Sequence, residues 1–452
     1  MRSSAALAPL AFSVAAAYSF DPLEHLAGIA PYFEPEDPPS DPAPPQGCNV
    51  TRAAYIVRHA AIYANDFDFE SYIEPFVMKL GNTTADWSKT RDLSFLTTWK
   101  SPIEDEDLED LTKVGELEAF KLGVQVKQRY QYAKGGKGFN KPGKVWASTA
   151  ERTTISAQSF IDGYTVGQNS TKLEGISEAS EEGADSLTPH QTCPNYSGSR
   201  GSEQSGTYQK IYTKPIVERL NAQASAFNFT MSDVVGMQQL CGYETVIRGE
   251  SPFCSLSLFT PNEWLSFEYM NDIMYHHSLG YGSPGISGAQ GFPWTNATAQ
   301  LLLAPANSSD IQDLYVSFAH RELPPNVLVA LGLFNNTAFT NSLDYNATMP
   351  LTQISTNRVW QSSRILPFLS NIAMEKLSCD SYGYEPGEFI RVLVNQAPQP
   401  LPGCVDGPAE SCGLSGFQEF IKARGEMFGD FDGLCGVDYS NSTNILSIYG
   451  QQ

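Results

Sequence analysis

The feature that most constrains this chain is a short apolar segment that ends abruptly on two basic side chains. Residues 53 to 57 read Ala-Ala-Tyr-Ile-Val, and Arg58 and His59 follow directly. A run of this length and composition indicates a buried strand. Open α/β sheets bind their ligands just outside the carboxyl ends of the strands. The segment therefore predicts an α/β fold with Arg58 and His59 at a binding edge, and a strand that merely turns polar at its end is the alternative.

Two further apolar segments end in the same way. Residues Val145–Ala147 lead through Ser148 to Arg152, and Leu314–Ala319 leads into His320, Arg321 and Glu322. A helix predicted from Thr153 onwards places Arg152 near a helix N-terminus, which favours anions. A surface ion pair is the alternative for a single arginine at such a position. If the three strands run in the same direction, their polar ends meet at one edge of the sheet.

Together the three strand ends would supply two imidazoles, two or three guanidinium groups and one carboxylic acid. This set suits phosphoryl transfer through a histidine. It offers a nucleophile, cationic groups for the phosphoryl oxygens, and an acid for the leaving group.

Helical patterns occupy much of the remaining chain. Thr112 is predicted as the N-cap of a helix, with Pro324 and Pro325 at the first turn of another. The buried stripe of the first helix is predicted to be Leu117, Phe120 and Val124. Residues 67–110 are predicted to form loops and short helices, residues 165–210 mostly loop, and residues 211–277 a separate helical region. A further strand is predicted over residues 389–394. The adjacent His276 and His277 point to different sides of a helix, so we predict no metal site there.

The charge and the first residues indicate where the protein works. The formal net charge of −21 excludes nucleic acid and anionic membranes as partners, and an anionic substrate would need a local cationic pocket. Residues 1–17 carry one cation, an apolar run and a small-residue end, which predicts a secretory signal peptide cleaved near Ala17. Its removal takes away Arg2 and no acidic residue, which changes the charge from −21 to −22. No later segment reaches the roughly 18 apolar residues of a membrane helix, so a secreted protein is predicted.

The cysteines and the glycosylation sequons favour the same compartment. An even set of cysteines without a Cys-x-x-Cys pair indicates four disulfides rather than zinc or redox chemistry. The cysteines are Cys48, Cys193, Cys241, Cys254, Cys379, Cys404, Cys412 and Cys435. The Asn-x-Ser/Thr sequons predict a glycosylated surface. They lie at Asn49, Asn82, Asn169, Asn195, Asn228, Asn296, Asn307, Asn335, Asn346 and Asn441.

Several blocks taken together are more specific than any one strand end. Val57-Arg58-His59 resembles the start of the motif Arg-His-Gly-x-Arg-x-Pro, and the blocks at 111–123, 147–160, 186–193, 318–320 and 330–334 resemble further blocks of the same family. On these residues the chain resembles the histidine acid phosphatase family, especially its secreted fungal branch with the phytases. The resemblance extends from about Cys48 to Cys435.

The resemblance implies an α/β fold with a mixed central sheet flanked by helices and an inserted, smaller helical domain. We place an extended arm at 18–44, the α/β domain at 45–164 and 306–452, and the insert at 165–305. The implied function is a secreted acid phosphatase that acts on small phosphate monoesters without a metal or cofactor. Phytase is the narrower alternative. A catalytically weakened member that binds an anion is an alternative of another class.

The resemblance also implies roles for individual residues. His59 would be the nucleophile that forms phosphohistidine, and Arg58, Arg152 and His320 would bind the phosphoryl oxygens. The flanking cations should lower the pKa of His59 and keep it neutral in mild acid.

The chain departs from the family pattern at both motifs. Ala60, Ile62 and Ala64 stand where the family has Gly, its second Arg and Pro. Losing one positioned donor typically costs about 3 kcal/mol of transition-state stabilisation. Arg321 stands where most members have the Asp that protonates the leaving group, which leaves Glu322 as the acid, an arrangement found in the related inositol polyphosphate phosphatases. We hypothesise that Arg321 replaces the cation lost at Ile62; the alternative is that it points to solvent.

Two more expectations come from the resemblance. Family phytases place lysines where this chain has Met274 and Tyr275, which weakens the case for a six-phosphate substrate. The implied disulfides are Cys48–Cys379, Cys193–Cys435, Cys241–Cys254 and Cys404–Cys412.

Overall fold

The computed structural model describes residues 20–450, apart from 141, 167–170, 306–311, 338–341, 343 and 441. The predicted signal peptide lies outside the described residues, as do the sequon residues Asn169, Asn307 and Asn441. Within the described chain, no helix has the length and apolar character needed to cross a membrane.

One mixed sheet forms the centre of the described structure. Its strands are β1 (Cys48–Arg58), β2 (Lys144–Ser148), β3 (Lys172–Ile176), β4 (Leu314–Ala319), β5 (Asn371–Cys379), β6 (Gly387–Val394), β7 (Ala397–Gln399) and β8 (Cys412–Gly413). The order across the sheet is β3-β2-β4-β1-β5-β6-β7, and β8 pairs with β6. The predicted mixed sheet is therefore confirmed.

The parallel half of the sheet brings the predicted strand ends together. β1 and β2 both pair in parallel with β4, with Arg58 opposite Ala319 and Ala147 opposite Phe318. Because all three strands run the same way, Arg58, Arg152 and His320 follow strands that end at one edge. The predicted meeting of the three polar ends is confirmed.

The described helices of eight residues or more surround this sheet. They are α1 (Glu74–Gly81), α2 (Lys113–Arg129), α3 (Glu151–Thr165), α4 (Ser202–Gln223), α5 (Met231–Arg248), α6 (Pro261–Ser278), α7 (Pro284–Leu303), α8 (Leu323–Leu331) and α9 (Leu414–Phe428). Shorter helical segments include Asp66–Asp68, Phe69–Ile73 and Phe431–Cys435. Thr112 caps α2 by accepting a hydrogen bond from Gly115 N, as predicted.

Alternating residues of β1 send their side chains to opposite faces of the sheet. Ala53, Tyr55 and Val57 pack in a cluster with residues of α2 and α3. Ala54 and Ile56 pack on the other face with residues of α7, α8 and α9. This burial on both faces explains why residues 53–57 of β1 form a continuous apolar run rather than an alternating one.

The predicted buried stripe of α2 is wrong. Leu117 and Phe120 are exposed, and the buried residues of the helix are Gly115, Ala119, Leu122, Gly123 and Val126. A methyl group at Gly123 would overlap the carbonyl oxygen of Phe160 on α3. The helix therefore packs through its small residues, and the larger apolar side chains remain outside.

The third large cluster is helical and lies beside the sheet. It combines residues of α4, α5 and α6 with the segment from Phe69 to Ile103. α7 packs with the cluster on the sheet instead. The packed clusters therefore do not follow the predicted bounds of the inserted domain, residues 165–305. Those bounds remain a prediction. Within 165–210, predicted as mostly loop, the structure forms β3 and the start of α4.

Four disulfides join the described cysteines. They pair Cys48 with Cys379, Cys193 with Cys435, Cys241 with Cys254, and Cys404 with Cys412. These are the pairs that the family resemblance implied. The Cys48–Cys379 bond links opposed residues of β1 and β5 in the sheet register.

Candidate active site

His59 lies immediately after β1 and is almost fully buried. Its Nδ1 lies 2.9 Å from the carbonyl oxygen of Ala60, to which it donates in the neutral ring. That bond assigns the proton to Nδ1 and leaves the lone pair on Nε2. Burial, followed by the charges of Arg58 and Arg152, holds the pKa of His59 well below its usual value. The ring is therefore neutral in mild acid and can act as a nucleophile.

Arg58 is held from behind by the backbone. Its Nη1 donates to the carbonyl oxygens of Gly28, at 2.5 Å, and Leu366, at 2.7 Å. The guanidinium stacks on the ring of Phe368 at 4.6 Å. Burial and the nearby Arg321 lower the pKa of Arg58 to about 10, so the group is still a cation at acid pH.

Arg152 lies in the first turn of α3, next to the end of β2. Its Nη1 pairs with Oε2 of Glu109 at 3.1 Å. Glu109 also accepts a hydrogen bond from the backbone N–H of Asp66, so it links the segment after β1 to the start of α3. Glu109 thus positions Arg152 near His59, a contact that sequence reasoning missed.

His320 follows β4 and faces His59, with ring centroids 5.8 Å apart. Its Nε2 lies 3.2 Å from Oε1 of Glu178. Burial opposes ionisation of Glu178, but the hydrogen bond and charge of His320 and the N–H of Ala150 lower its pKa to about 2. The ionised Glu178 orients the His320 ring, which is a second contact that sequence reasoning missed.

Arg321 does not extend freely into solvent. Its Nη2 donates to Oε1 of Glu322 at 3.0 Å, and its Nη1 lies 3.4 Å from the hydroxyl oxygen of Tyr275. The guanidinium also lies over the Tyr275 ring at 5.5 Å. The side chain is one-third exposed, so it faces the cleft while remaining anchored at both ends.

Glu322 lies between two basic groups. Arg321 contacts one of its carboxylate oxygens, and Nε2 of His190 lies 3.8 Å from the other. Burial opposes ionisation, but Arg321, His190 and His320 hold the pKa of Glu322 well below its usual range. In the absence of substrate the carboxyl group is therefore ionised at acid pH.

Three guanidinium groups of this site share one property. The Nε atoms of Arg58, Arg152 and Arg321 are buried, and none has a hydrogen-bond partner among the described residues. Buried donors in proteins are almost always paired, so three unpaired ones require an explanation. An oxyanion with several acceptor oxygens would satisfy them, and phosphate is such an anion.

The position of the missing family arginine is part of the core. Ile62 is 3% exposed and pairs through its backbone with Leu111. It packs in the helical cluster with neighbours such as Phe69 and Ile73. An apolar residue is therefore accommodated here by packing, and Arg321 is close enough to Arg58 to lower its pKa.

A cavity of about 330 Å³ adjoins the site and shares Arg321 and Tyr275 with it. The described residues that line it include one cation, Arg321, and one carboxylate, Asp68; the others are neutral and include Met274 and several Ser, Asn and Gln residues. Asp68 accepts hydrogen bonds from Tyr243 and Gln239, and burial raises its pKa. The cavity therefore has the size of a small organic group and carries little positive charge.

The adjacent histidines follow Tyr275 directly on α6. His276 and His277 are buried on α6 with ring planes 89° apart. The described residues do bring Cys404, Asp406 and Cys412 into a metal-like spacing, but both cysteines are in one disulfide.

The chain matches the family described as Histidine phosphatase superfamily (branch 2) over residues 50–395. Because this match spans more than half of the sequence, the chain belongs to that family.

Curated relatives are similar over almost their whole length. Acid phosphatase PHO1 of Komagataella pastoris is 28% identical, with 92% of this chain and 86% of the relative covered. Thiamine-repressible acid phosphatase pho4 of Schizosaccharomyces pombe is also 28% identical, at 94% and 93% coverage. Phytase PHO112 of Candida albicans is 28% identical, at 96% and 91% coverage.

Solved structures show the same fold. The phytase from D. castellii superposes with a TM-score of 0.82 at 22% identity and covers 95% of this chain and 90% of its own. The multiple inositol polyphosphate phosphatase of Bifidobacterium longum, in complex with inositol hexasulfate, superposes with a TM-score of 0.61 at 13% identity, at 88% and 97% coverage. The predicted fold class is thereby confirmed.

Proposed function

We propose that this protein is an acid phosphatase that hydrolyses phosphate monoesters through a phosphohistidine intermediate on His59. The observation that carries the proposal is the geometry around this ring. A neutral, buried imidazole with its lone pair on Nε2 lies near Arg58 and Arg152, and the Nε donors of these two residues and of Arg321 have no hydrogen-bond partner among the described residues. The names of the curated relatives support the same activity.

In the first step, Nε2 of His59 attacks phosphorus while the bond to the leaving oxygen breaks. Arg58, Arg152 and His320 bind the phosphoryl oxygens, and Arg321 serves as an additional cation from the side of the cleft. Positioned donors of this kind stabilise the transition state without reorganising. In the second step, water attacks the phosphohistidine and releases inorganic phosphate, which restores His59.

Glu322 is the group that protonates the leaving oxygen in this proposal. Arg321 stays charged and cannot give up a proton at working pH. Binding of a phosphoryl dianion adds negative charge next to Glu322, which raises its pKa and opposes the effect of Arg321. The acid form of Glu322 therefore depends on the presence of substrate.

The adjoining cavity favours leaving groups that carry few charges. A substrate with six phosphates would place several anionic groups in a space whose described lining contains one cation and a carboxylate. We therefore propose small monophosphate esters as the better substrates, and inositol hexakisphosphate as a poor one. The catalytically weakened, anion-binding alternative rests on the loss of the family residues at Ile62 and Arg321.

Initial rates at pH 4 to 6 would test these proposals. We expect turnover of p-nitrophenyl phosphate and glycerol 2-phosphate, and a kcat/KM for inositol hexakisphosphate at least tenfold lower. His59→Ala should abolish turnover with little change in Tm, and acid-quenched wild-type enzyme should retain labelled phosphate on His59. Phosphate binding without turnover of any ester would favour the anion-binding alternative. Efficient release of phosphate from inositol hexakisphosphate would contradict the substrate proposal alone.

Secretion and glycosylation remain part of the proposal. The four disulfides suit an oxidising compartment. The sequon residues Asn49, Asn82, Asn195, Asn228 and Asn346 are exposed and accessible to glycosylation. Mass spectrometry of the secreted protein before and after deglycosylation would establish both the cleavage near Ala17 and the occupied sites.

A further inference from the structure

His190 lies in a loop that the predicted machinery does not include, yet its ring faces the candidate acid. Its Nε2 is 3.8 Å from Oε2 of Glu322, and its ring is edge-on to those of His320 and Tyr196 at about 6 Å. The side chain is 14% exposed. Its Nδ1 is buried and has no hydrogen-bond partner among the described residues. The ring thus combines burial, a carboxylate neighbour and an unsatisfied nitrogen.

The surroundings of Glu322 create a difficulty that such a ring can remove. Arg321 contacts Glu322 at 3.0 Å and favours its ionised form. An ionised carboxylate cannot protonate a leaving alkoxide. A second group that takes up protons nearer to neutral pH would supply the missing proton, and imidazole is the side chain whose ordinary pKa suits this task.

We propose that His190 holds the leaving-group proton and delivers it through Glu322, so that the two side chains act as one acid. The proposal rests on the proposed phosphatase function and deepens it. Because His190 acts through Glu322, it is a positioning and proton-holding residue rather than one that touches the substrate.

The proton and bond changes balance. Before reaction the pair carries one proton, held on the His190 ring beside the ionised Glu322 carboxylate, and this proton crosses to Glu322 when the two atoms close from 3.8 Å to hydrogen-bond distance. As the P–O bond to the leaving group breaks and the bond from phosphorus to His59 Nε2 forms, the leaving oxygen takes this proton and departs as an alcohol. The pair is then a neutral imidazole and a carboxylate. In the second step it accepts a proton from the attacking water.

The charges that face His190 determine the pH range. Burial lowers the pKa of His190, as do His320 and Arg321, whereas Glu322 and Glu178 raise it. A bound phosphoryl dianion adds negative charge and raises the pKa of both members of the pair. The net effect in the free protein is a pKa of His190 below its ordinary value, so the pair is protonated in acid and more fully once the dianion is bound, which suits an enzyme of acid surroundings.

Leaving-group chemistry separates this role from simple packing. A phenolate departs without protonation, whereas an alkoxide needs it. His190→Gln keeps a polar group of similar reach but cannot hold the proton. We expect kcat/KM, which reports the first step, to fall about 10²-fold for glycerol 2-phosphate, within the range of general acid catalysis, and to change less than threefold for p-nitrophenyl phosphate. For the alkyl ester, the rate of the variant should begin to fall at a lower pH than the rate of the wild-type protein.

His25→Gln is the matched control. His25 Nδ1 lies 3.5 Å from Oε2 of Glu268, so it is another imidazole beside a buried carboxylate, but outside the candidate site. This variant should keep the wild-type ratio between the two esters and the wild-type pH profile. If His190→Gln lowers kcat/KM equally for both esters, or for neither, the proposal is refuted. Absence of turnover in the wild-type protein would instead refute the underlying phosphatase function.

A measurement on the unaltered protein covers the case in which the variant does not fold. Nitrogen NMR of histidine-labelled wild-type protein at pH 5.5 distinguishes the neutral ring from the doubly protonated one. Addition of inorganic phosphate should convert the His190 ring to the doubly protonated form. A ring that stays neutral with phosphate bound would overturn the proposal.

Discussion

Replacing Arg321 by Ala separates two effects that the structure combines in one side chain. The guanidinium is a cation next to the proposed phosphoryl site, and its buried Nε has no hydrogen-bond partner among the described residues. It is also the group that contributes most to holding the Glu322 carboxyl group in its ionised form. Its removal should therefore weaken phosphoryl stabilisation and at the same time favour the acid form of Glu322.

The two effects have different sizes for different esters. Loss of one positioned donor costs about 3 kcal/mol, which corresponds to roughly 10²-fold in kcat. An aryl ester needs no acid, so it should show this loss in full. An alkyl ester should lose less, because Glu322 becomes easier to protonate when the contact at 3.0 Å is removed. The pH profile of kcat for the alkyl ester should therefore also extend to higher pH than in the wild-type protein.

The assay is kcat against pH for p-nitrophenyl phosphate and glycerol 2-phosphate, together with the inhibition constant of inorganic phosphate. Arg364→Ala is the control, because Arg364 is a half-exposed arginine that pairs only loosely with Asp37, at 3.4 Å. The control should leave all three quantities unchanged. In Arg321→Ala the inhibition constant should rise along with the loss of aryl turnover.

Two results would refute this reasoning. Unchanged aryl turnover and phosphate inhibition would mean that Arg321 is not a phosphoryl cation, and that the side chain serves only to hold Tyr275 and Glu322. Equal losses for both esters, with no shift of the alkyl profile, would mean that Arg321 does not control the protonation of Glu322.

Two further predictions concern stability. Replacing both Cys48 and Cys379 by Ala opens a link across 331 residues and should cost roughly 5 kcal/mol in guanidinium denaturation; a loss below 1 kcal/mol would contradict the chain-entropy argument. Burial opposes ionisation of Glu375, but Arg129 and Arg391 lower its pKa to about 2. Its stabilising contribution is present above its ordinary pKa and is lost as the pH falls towards 2. Glu375→Gln should cost about 3–5 kcal/mol at pH 6 and much less near pH 2; an equal cost at both would contradict the ion-pair explanation.

Strand ends were the part of this fold that could be predicted from residues alone. β1 and β4 are apolar runs buried on both faces, so their ends are visible where Arg58 and His320 interrupt them. By contrast, β5 carries Glu375 and Lys376 within its buried stretch. These charges are paired by residues distant in the chain, so no local pattern indicates a strand there.

The buried face of α2 could not be predicted for a different reason. Periodicity identifies large apolar residues, and Leu117 and Phe120 form such a stripe. The interface with α3 is instead made of small residues that allow the two backbones to approach closely. Only knowledge of the partner helix reveals that Gly123 lies opposite Phe160.

Within the site, the residues on strand ends were predicted and the residues that orient them were not. Glu109, Glu178 and His190 lie in loops, and each contacts a site residue far away in sequence. A loop carboxylate or imidazole gives no periodic signal. Such contacts depend on how loops close over the sheet edge, which the topology alone does not determine.

The two departures from the family motifs are connected through packing and charge. Ile62 is enclosed by the helical cluster, so a cation at this position would enter an apolar surrounding. Arg321, after β4, is near enough to Arg58 to lower its pKa, and Tyr275 anchors it there. Because Arg321 occupies the position where most family members have the acid, the acid has to come from the neighbouring residue, Glu322. That carboxylate lies in direct contact with Arg321. The other carboxylate oxygen of Glu322 faces His190 at 3.8 Å, and we propose that this ring holds the proton that Glu322 passes to the leaving group.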